Sequence, residues 1–400
     1  MRCTKTRNFT VTARLAAAFA VSILAAVAVG LAGCQGNAEE EQRQSKKQKI
    51  AEDSKKIVRT YAHILEQAER QPDTDAFELQ EEIIQCLGGA GYIAVDLENQ
   101  IDMVNYRQAE KFCQSANRGE EAEVTILLVM DNGGFVRYDL EAENKKLDVS
   151  VSSVFLEEEE NSPDYFESFI ASSWRYTKKG YLFFEQYHMS GFDGPPGQTA
   201  IRIRPLDQTC RRLNRKYVLP MGYRGHKLLI ADWDEKDYGE LDFYDLYEVM
   251  YTMKYKNDVP YADEYTKVQY EIPEKEFEDP IQTYLDVDNA WIREKTVYRA
   301  DSHTYRYRPR GLYDCMEPYE PYPEVTAYEK QEDGKLKLTV EAVWALKNSD
   351  CAMISELVVC PLENGCFQYV SNRVLSVSDN IDRFWYIPRL TDEEWERLNE

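Results

Sequence analysis

The sequence predicts an α+β fold in which antiparallel β-meanders carry helices packed on one face, organised as two or three modules. The first observation is a change of period: apolar residues recur at helical spacing up to about Ser115 and alternate as in strands after it. The second is that turn sequences, Asp131 to Gly134 and Glu332 to Gly334, join neighbouring extended runs. Helices first and strands afterwards are typical of an α+β unit.

Five segments are expected along the 400-residue chain. The segment boundaries place a signal peptide at 1–33, a flexible tether at 34–48, an N-terminal α+β module at 49–160, a middle mixed module at 161–270 and a C-terminal α+β module with an antiparallel sheet at 271–400. The tether is predicted because its residues are rich in Glu, Gln and Lys and nearly lack apolar side chains.

The N-terminal module should contain three helices followed by three strands, with a further strand candidate, Gly91 to Leu97, between the second and third helices. An apolar stripe from Ile50 to Ala68 predicts the first helix. The second helix, Asp75 to Leu87, ends at two glycines, which suit a left-handed helix end. A third is expected near Asn105 to Ser115. The strand candidates are Val124 to Met130, 135–142 and Leu147 to Leu156.

The middle and C-terminal modules should add further strands and helices. The expected elements are strands in Gly180 to Tyr187, Thr199 to Leu206 and 227–233, a helix at Leu241 to Met253, a short helix near Asn289 to Lys295, and strands near 324–329, 336–345, 356–361 and 367–374. Thr391 and Glu394 have the spacing of a capping box and predict a final helix.

The N-terminus carries the layout of a secretory signal. Four basic residues precede a run of nineteen uncharged residues, Leu15 to Gly33. A run of this length is also long enough for a membrane-spanning helix. Its last residues, Leu31, Ala32, Gly33 and Cys34, resemble the lipobox of bacterial lipoproteins. The resemblance implies cleavage between Gly33 and Cys34, lipidation of Cys34 and a position on the outer face of the cell membrane. The alternative is an uncleaved anchor in which Cys34 is incidental.

The composition and net charge limit the classes of molecule that the protein is expected to bind. The formal net charge of −23 repels phosphate backbones and anionic lipid headgroups, so nucleic acid is not expected as a partner. We expect attachment to the membrane through lipidated Cys34, and a cell-wall glycan or peptide as a candidate ligand. A protein partner cannot be named from the sequence.

The common catalytic and metal-binding motifs are not present in the sequence. It contains no H-E-x-x-H, no G-x-S-x-G and no glycine-rich phosphate loop, and Asp232 to Gly239 fails the spacing of a calcium loop. Seven cysteines remain besides Cys3 and Cys34, without C-x-x-C spacing. No catalytic residue, metal ligand or cofactor is therefore predicted, and the cysteines are open between free thiols and one bridge among Cys351, Cys360 and Cys366.

One segment stands out as a candidate binding site. Tyr305, Tyr307, Arg306, Arg308 and Arg310 crowd together in a chain with 28 tyrosines. Tyrosine offers a flat apolar face with a polar tip, which suits a site for glycans or peptides. The alternative is structural: the tyrosines fasten an irregular segment to the sheet while the arginines pair with nearby acids.

The final third also resembles a family. The stretches YRYRPRGLYD, YPEVTAYEKQEDGKLKLTVEAVWA and GCFQYVSNRVL are similar to uncharacterised lipoproteins of Gram-positive gut anaerobes that carry a domain of unknown function. This resemblance implies a context and no catalytic residues. We expect a lipid-anchored extracytoplasmic protein with a non-catalytic binding or envelope-associated role. The alternatives are a cell-wall hydrolase with an unrecognised carboxylate site, and a structural spacer or assembly component.

Overall fold

The computed structural model describes residues 35–71, 75–155, 165–261, 268–311, 314, 319–363, 365–377 and 385–399. The signal segment, Gly33 and Cys34 lie outside these residues. The chain divides into two compact units. The N-terminal unit extends to Leu206 and includes Ala345–Asn348, and the C-terminal unit contains Asp207–Trp344 and Ser349–Glu400.

The N-terminal unit is built on a five-stranded sheet in the order β1-β2-β3-β4-β5. Its strands are β1 Ile93–Asp96, β2 Ala122–Val129, β3 Phe135–Glu143, β4 Lys146–Val154 and β5 Tyr165–Ile170. β1 is parallel to β2, and the remaining pairs are antiparallel. The predicted three-strand meander is confirmed, and Gly133 supplies the positive φ (85°) in its first turn.

Helices cover both faces of this sheet. They are α1 Gln35–Arg70, α2 Ala76–Gly89 and α3 Tyr106–Arg118. α1 and α2 pack with Leu127 and Val129, whereas α3 packs with Ile126 and Leu128, and successive strand residues point to opposite faces. The expectation of helices on one face therefore holds for α1 and α2 but not for α3. A small sheet, β6 Ser173–Tyr176, β7 Tyr181–Glu185 and β8 Gln198–Arg202, shares the α3 side of the core.

The first helix starts earlier than the sequence indicated. α1 begins at Gln35, so residues 35–48, predicted to be a flexible tether, are helical. Glu, Gln and Lys are good helix formers, and a helix without an apolar stripe looks like a tether when judged by hydrophobicity alone. The apolar stripe starts at Ile50, where the helix reaches the core.

The C-terminal unit contains a second five-stranded sheet, in the order β13-β14-β15-β16-β9, with all neighbours antiparallel. Its strands are β9 Trp233–Asp234, β13 Tyr322–Lys330, β14 Leu336–Trp344, β15 Ser349–Pro361 and β16 Phe367–Val377. The expected strand at 227–233 is reduced to the short β9, because residues 227–231 form turns. The α+β class is confirmed.

Helices and a three-stranded sheet complete the C-terminal unit. The helices are α4 Gln208–Leu213, continued by a π-helical turn Asn214–Val218, α5 Phe243–Tyr255, α6 Glu274–Tyr284, α7 Asn289–Glu294 and α8 Asp392–Asn399. A short 3-10 turn, Ala345–Lys347, belongs to the N-terminal unit. The small sheet has the order β10-β12-β11, with β10 Tyr270–Pro273, β11 Tyr298–Arg299 and β12 Thr304–Tyr307. The capping box is confirmed: the Glu394 amide donates to the Thr391 hydroxyl, and the Thr391 amide donates to the Glu394 carboxylate. None of the described helices has the length and apolarity needed to cross a membrane.

Two glycines of the N-terminal unit give a matched test of backbone geometry. Gly180 and Gly91 both have φ of +92°. A Cβ added at Gly180 would lie 2.4 Å from the Cβ of Arg204, whereas a Cβ added at Gly91 would meet no atom within 4 Å. We expect Gly91→Ala to cost about 1–2 kcal/mol from the left-handed conformation alone. Gly180→Ala should cost clearly more, as measured by chemical unfolding. Equal losses would contradict the close approach of Arg204.

Candidate functional site

The candidate Tyr/Arg segment forms β12 and the residues that follow it. Strand alternation turns Tyr305 and Tyr307 into the fold, where they are 0% and 1% exposed. The Tyr305 hydroxyl donates to the Glu278 carboxylate (2.5 Å), and the Tyr307 hydroxyl donates to the Glu248 carboxylate (2.6 Å). Burial, together with these hydrogen bonds to carboxylates, raises the pKa of both tyrosines. Their polar tips are therefore occupied by partners within the chain.

Arg310 belongs to a buried ionic network centred on Asp245, a residue in the first turn of α5 that is only 2% exposed. The Arg310 guanidinium donates to both carboxylate oxygens of Asp245 (2.9 and 3.0 Å). Arg389 donates from Nε to the same carboxylate (2.7 Å), and the Tyr386 hydroxyl donates to it (2.9 Å). Burial raises the pKa of Asp245, against the opposing effect of the two guanidinium groups. A buried carboxylate is retained here because two cations and a hydroxyl satisfy it.

Arg389 connects this network to a second carboxylate. It pairs with Glu248 as well as Asp245, and its Nη1 donates to the Arg308 carbonyl (2.8 Å). Burial disfavours its charge, but the two carboxylates raise its pKa well above the ordinary value. Sequence reasoning did not single out Asp245, Glu248 or Arg389, because their partners lie far away along the chain.

Arg306 and Arg308 lie nearer the surface and hold the last helix. Both pair with Asp392 at the start of α8. Arg308 also donates to the Leu390 carbonyl (2.9 Å), and its guanidinium lies 5.1 Å from the centre of the Trp395 ring. Burial lowers the pKa of Arg308. The five candidate residues thus hold the segment and the chain end to the fold, which is the structural alternative raised by the sequence.

A partly exposed group of four tyrosines and one glutamate lies beside this network. We call it the tyrosine surface; it consists of Tyr251, Tyr255, Tyr261, Tyr270 and Glu276. Tyr255 is 39% exposed and the other members are half-buried. The ring centres of Tyr251 and Tyr255 are 4.6 Å apart, and those of Tyr261 and Tyr270 are 5.2 Å apart.

Two buried tyrosines support the tyrosine surface from below. Tyr247 lies 5.6 Å from Tyr251, and Tyr307 lies 6.5 Å from Tyr261, measured between ring centres. The sequence contained one signal for this surface, which was missed: Tyr247, Tyr251 and Tyr255 recur every four residues and share one face of α5.

A group of carboxylates in the N-terminal unit is the second notable site. Asp96, at the end of β1, is 1% exposed and accepts the amides of Gln100 (2.8 Å) and Ile101 (2.7 Å). Glu98 accepts from the amide side chain of Gln80 (3.2 Å). Burial, and then the neighbouring charge of Asp96, raise the pKa of Glu98 to about 7. A carboxylic acid that titrates near neutrality at a strand end is a candidate proton donor.

The described residues contain neither a cluster of potential metal ligands nor a disulfide. No group of three or more His, Cys, Asp or Glu side chains in that part of the chain could hold a metal ion. Four cysteines are free thiols there: Cys86, Cys113, Cys210 and Cys360. Cys315 lies outside the described residues.

The comparisons with known proteins give one match. Residues 47–389 match the model of a family of unknown function, DUF6070. The chain belongs to this family. The DUF6070 region includes both the tyrosine surface and the carboxylates around Glu98, and it ends at Arg389, a member of the Asp245 network. No curated protein and no solved structure matches the chain.

The Asp245 network can be tested by removing one cation. Arg310→Met should destabilise the protein by about 3–5 kcal/mol, because it leaves a buried carboxylate with incomplete compensation. Arg306→Met removes a more exposed pair with Asp392 and should cost about 0–1 kcal/mol. Chemical unfolding of the two variants measures the difference. Equal stabilities would mean that Arg310 does not stabilise the fold as argued.

Proposed function

We propose that this DUF6070 protein is a lipid-anchored protein on the outer face of a bacterial cell membrane, where it binds a component of the envelope without catalysing a reaction. The observation that carries the proposal is the lipobox-like sequence Leu31 to Cys34 at the end of a basic and then apolar N-terminus. Only a thiol at that position supplies the nucleophile that becomes a thioether to a lipid.

Physical considerations support attachment by lipid rather than by charge. A protein with a net charge of −23 is repelled by anionic headgroups. Two acyl chains hold a protein on a bilayer durably, whereas one chain binds only marginally. The family match starts at residue 47, shortly after Cys34, so the folded region follows directly on the proposed anchor.

The binding role is supported by the tyrosine surface. Tyrosine rings provide a rigid contact area with a hydrogen-bonding tip, and they are enriched at recognition surfaces. On this surface the rings of Tyr251, Tyr255 and Tyr261 reach solvent, in contrast to the buried Tyr305 and Tyr307. We therefore assign the binding face to the tyrosine surface.

The anchor is tested by Cys34→Ser. Cells fed a clickable fatty acid should label the wild-type protein and leave Cys34→Ser unlabelled, because serine cannot form the thioether. The variant should also retain the mass of the uncleaved precursor. Cys366→Ser, which removes an exposed thiol elsewhere, should behave as wild type. Cleavage of Cys34→Ser at the same bond with equal attachment to the membrane would overturn the proposal.

One observation favours a second function, hydrolysis of cell-wall material. Glu98 lies two residues after Asp96, the last residue of β1, and accepts a hydrogen bond from the Gln80 side chain (3.2 Å). Burial raises its pKa to about 7, which is the protonation behaviour of a general acid.

This second function predicts that wild-type protein releases soluble fragments from purified cell wall. The rate of release should fall as pH rises through about 7, because Glu98 then loses its proton. Glu98→Gln should be inactive. Glu81→Gln, on an exposed position of α2, should remain active. Wild-type protein that releases nothing at any pH would exclude hydrolysis of that substrate.

A further inference from the structure

Glu276 occupies an unusual position on the tyrosine surface. The Tyr261 hydroxyl donates to its Oε1 (3.0 Å). The negative charge of Glu276 also raises the pKa of Tyr251 and contributes to the rise for Tyr261 to about 12, in both cases after burial as the largest cause. No ion pair to Glu276 occurs within the described part of the chain. Among the described residues, no cation is therefore paired with this half-buried carboxylate, which lies beside the Tyr261 ring.

The neighbouring part of the same surface shows how a cation is held there. Lys254 lies with its ammonium 5.4 Å from the centre of the Tyr255 ring, and it pairs with the Asp279 carboxylate. The Tyr255 hydroxyl donates to the same carboxylate (2.6 Å). The Asp279 carboxylate, the Tyr255 ring and the Thr283 hydroxyl, which accepts at 2.9 Å, thus hold one ammonium group, and the Tyr255 hydroxyl holds the carboxylate. Glu276 and the Tyr261 hydroxyl repeat the pairing of carboxylate and tyrosine hydroxyl, with no ammonium group bound to it among the described residues.

A buried hydroxyl below the tyrosine surface is also incomplete. Tyr247 is fully buried, and its hydroxyl has no hydrogen-bond partner among the residues that the structure describes. Burial raises its pKa. Its ring centre lies 5.6 Å from that of Tyr251 on the tyrosine surface. An unsatisfied buried hydroxyl costs about 1–3 kcal/mol, which a hydrogen bond to a water molecule at this site would offset.

We propose that the tyrosine surface binds a quaternary ammonium group, with Glu276 as its counter-charge and the rings of Tyr251 and Tyr261 as its aromatic walls. This inference rests on the proposed binding function. Quaternary ammonium is favoured over primary ammonium because it is weakly hydrated and meets ring faces through its methyl groups, whereas a primary ammonium is strongly hydrated. The negative charge of the chain attracts such a ligand and disfavours anionic ones.

The experiment compares choline, butylammonium and the neutral isostere of choline in which carbon replaces the charged nitrogen. Binding to the full chain, purified in a maltoside detergent, is measured by titration calorimetry. We expect choline to bind at least tenfold more tightly than the isostere and more tightly than butylammonium. Glu276→Gln should raise the choline Kd about tenfold, the equivalent of about 1.4 kcal/mol. Tyr251→Ala should weaken binding by a similar factor.

Matched controls keep the test interpretable. Tyr328→Ala removes an exposed tyrosine from β13 in the same unit and should leave the choline Kd unchanged. Thermal unfolding should show that the Glu276 and Tyr251 variants remain folded. Equal binding of the isostere, tighter binding of butylammonium, absence of choline binding, or unchanged affinity in Glu276→Gln would each overturn the inference.

Failure of this inference is distinguishable from failure of the proposed function. Loss of the acyl label in Cys34→Ser together with absence of choline binding would leave the anchor in place and remove only the ligand. Choline binding by a protein that carries no acyl label would support the site and remove the anchor. The two experiments use different residues, Cys34 and Glu276, in different parts of the chain.

Discussion

The C-terminal unit depends on one buried negative charge. Asp245 lies in the first turn of α5, where the helix dipole favours an anion, and receives Arg310, Arg389 and Tyr386. These donors come from the segment after β12 and from the chain end, up to 144 residues away in sequence. Removing one of them would leave a desolvated charge partly unpaired, which is far more costly than losing a surface pair. The network therefore fixes where both segments lie against α5.

This constraint explains why the arginines of the Tyr/Arg segment have their partners within the chain. Arg310 forms an ion pair with Asp245, and Arg389 forms one with Glu248. Arg306 and Arg308 both form ion pairs with Asp392. The tyrosines between them are buried as part of the same arrangement. The tyrosines of α5 that reach solvent are Tyr255, which is 39% exposed, and the half-buried Tyr251. One helix thus supplies Asp245, Met250 and Met253 to the buried interior and Tyr255 to the surface.

Local sequence signals predicted the fold well but not the partners of the Tyr/Arg segment. Asn132 and Gly133 specified a hairpin, and Thr391 with Glu394 specified a helix start, because each feature depends on neighbouring residues only. The Tyr/Arg segment was ambiguous, since alternation shows which residues share a face but not which face is buried. Burial was decided by Asp245 and Glu248, some 60 residues earlier, whose carboxylates leave no mark in the segment itself. The prediction for residues 35–48 differs from the structure for another reason. Their residues are good helix formers, but they lack an apolar stripe and so have the composition of a flexible tether.

The excess of negative charge cannot by itself make the protein selective for a ligand. At physiological ionic strength, charges are screened over about 8 Å, so the field of the whole chain enriches any cation near the surface and distinguishes none of them. Selection must come from contact, where the hydration of the cation and the shape of the site matter. Glu276 supplies a charge held in place by the Tyr261 hydroxyl, and the rings supply faces that favour a weakly hydrated cation. The neutral isostere of choline is therefore the sharpest comparison. It keeps the shape and the apolar contacts of choline and loses only the electrostatic attraction of the charged nitrogen to Glu276 and to the ring faces.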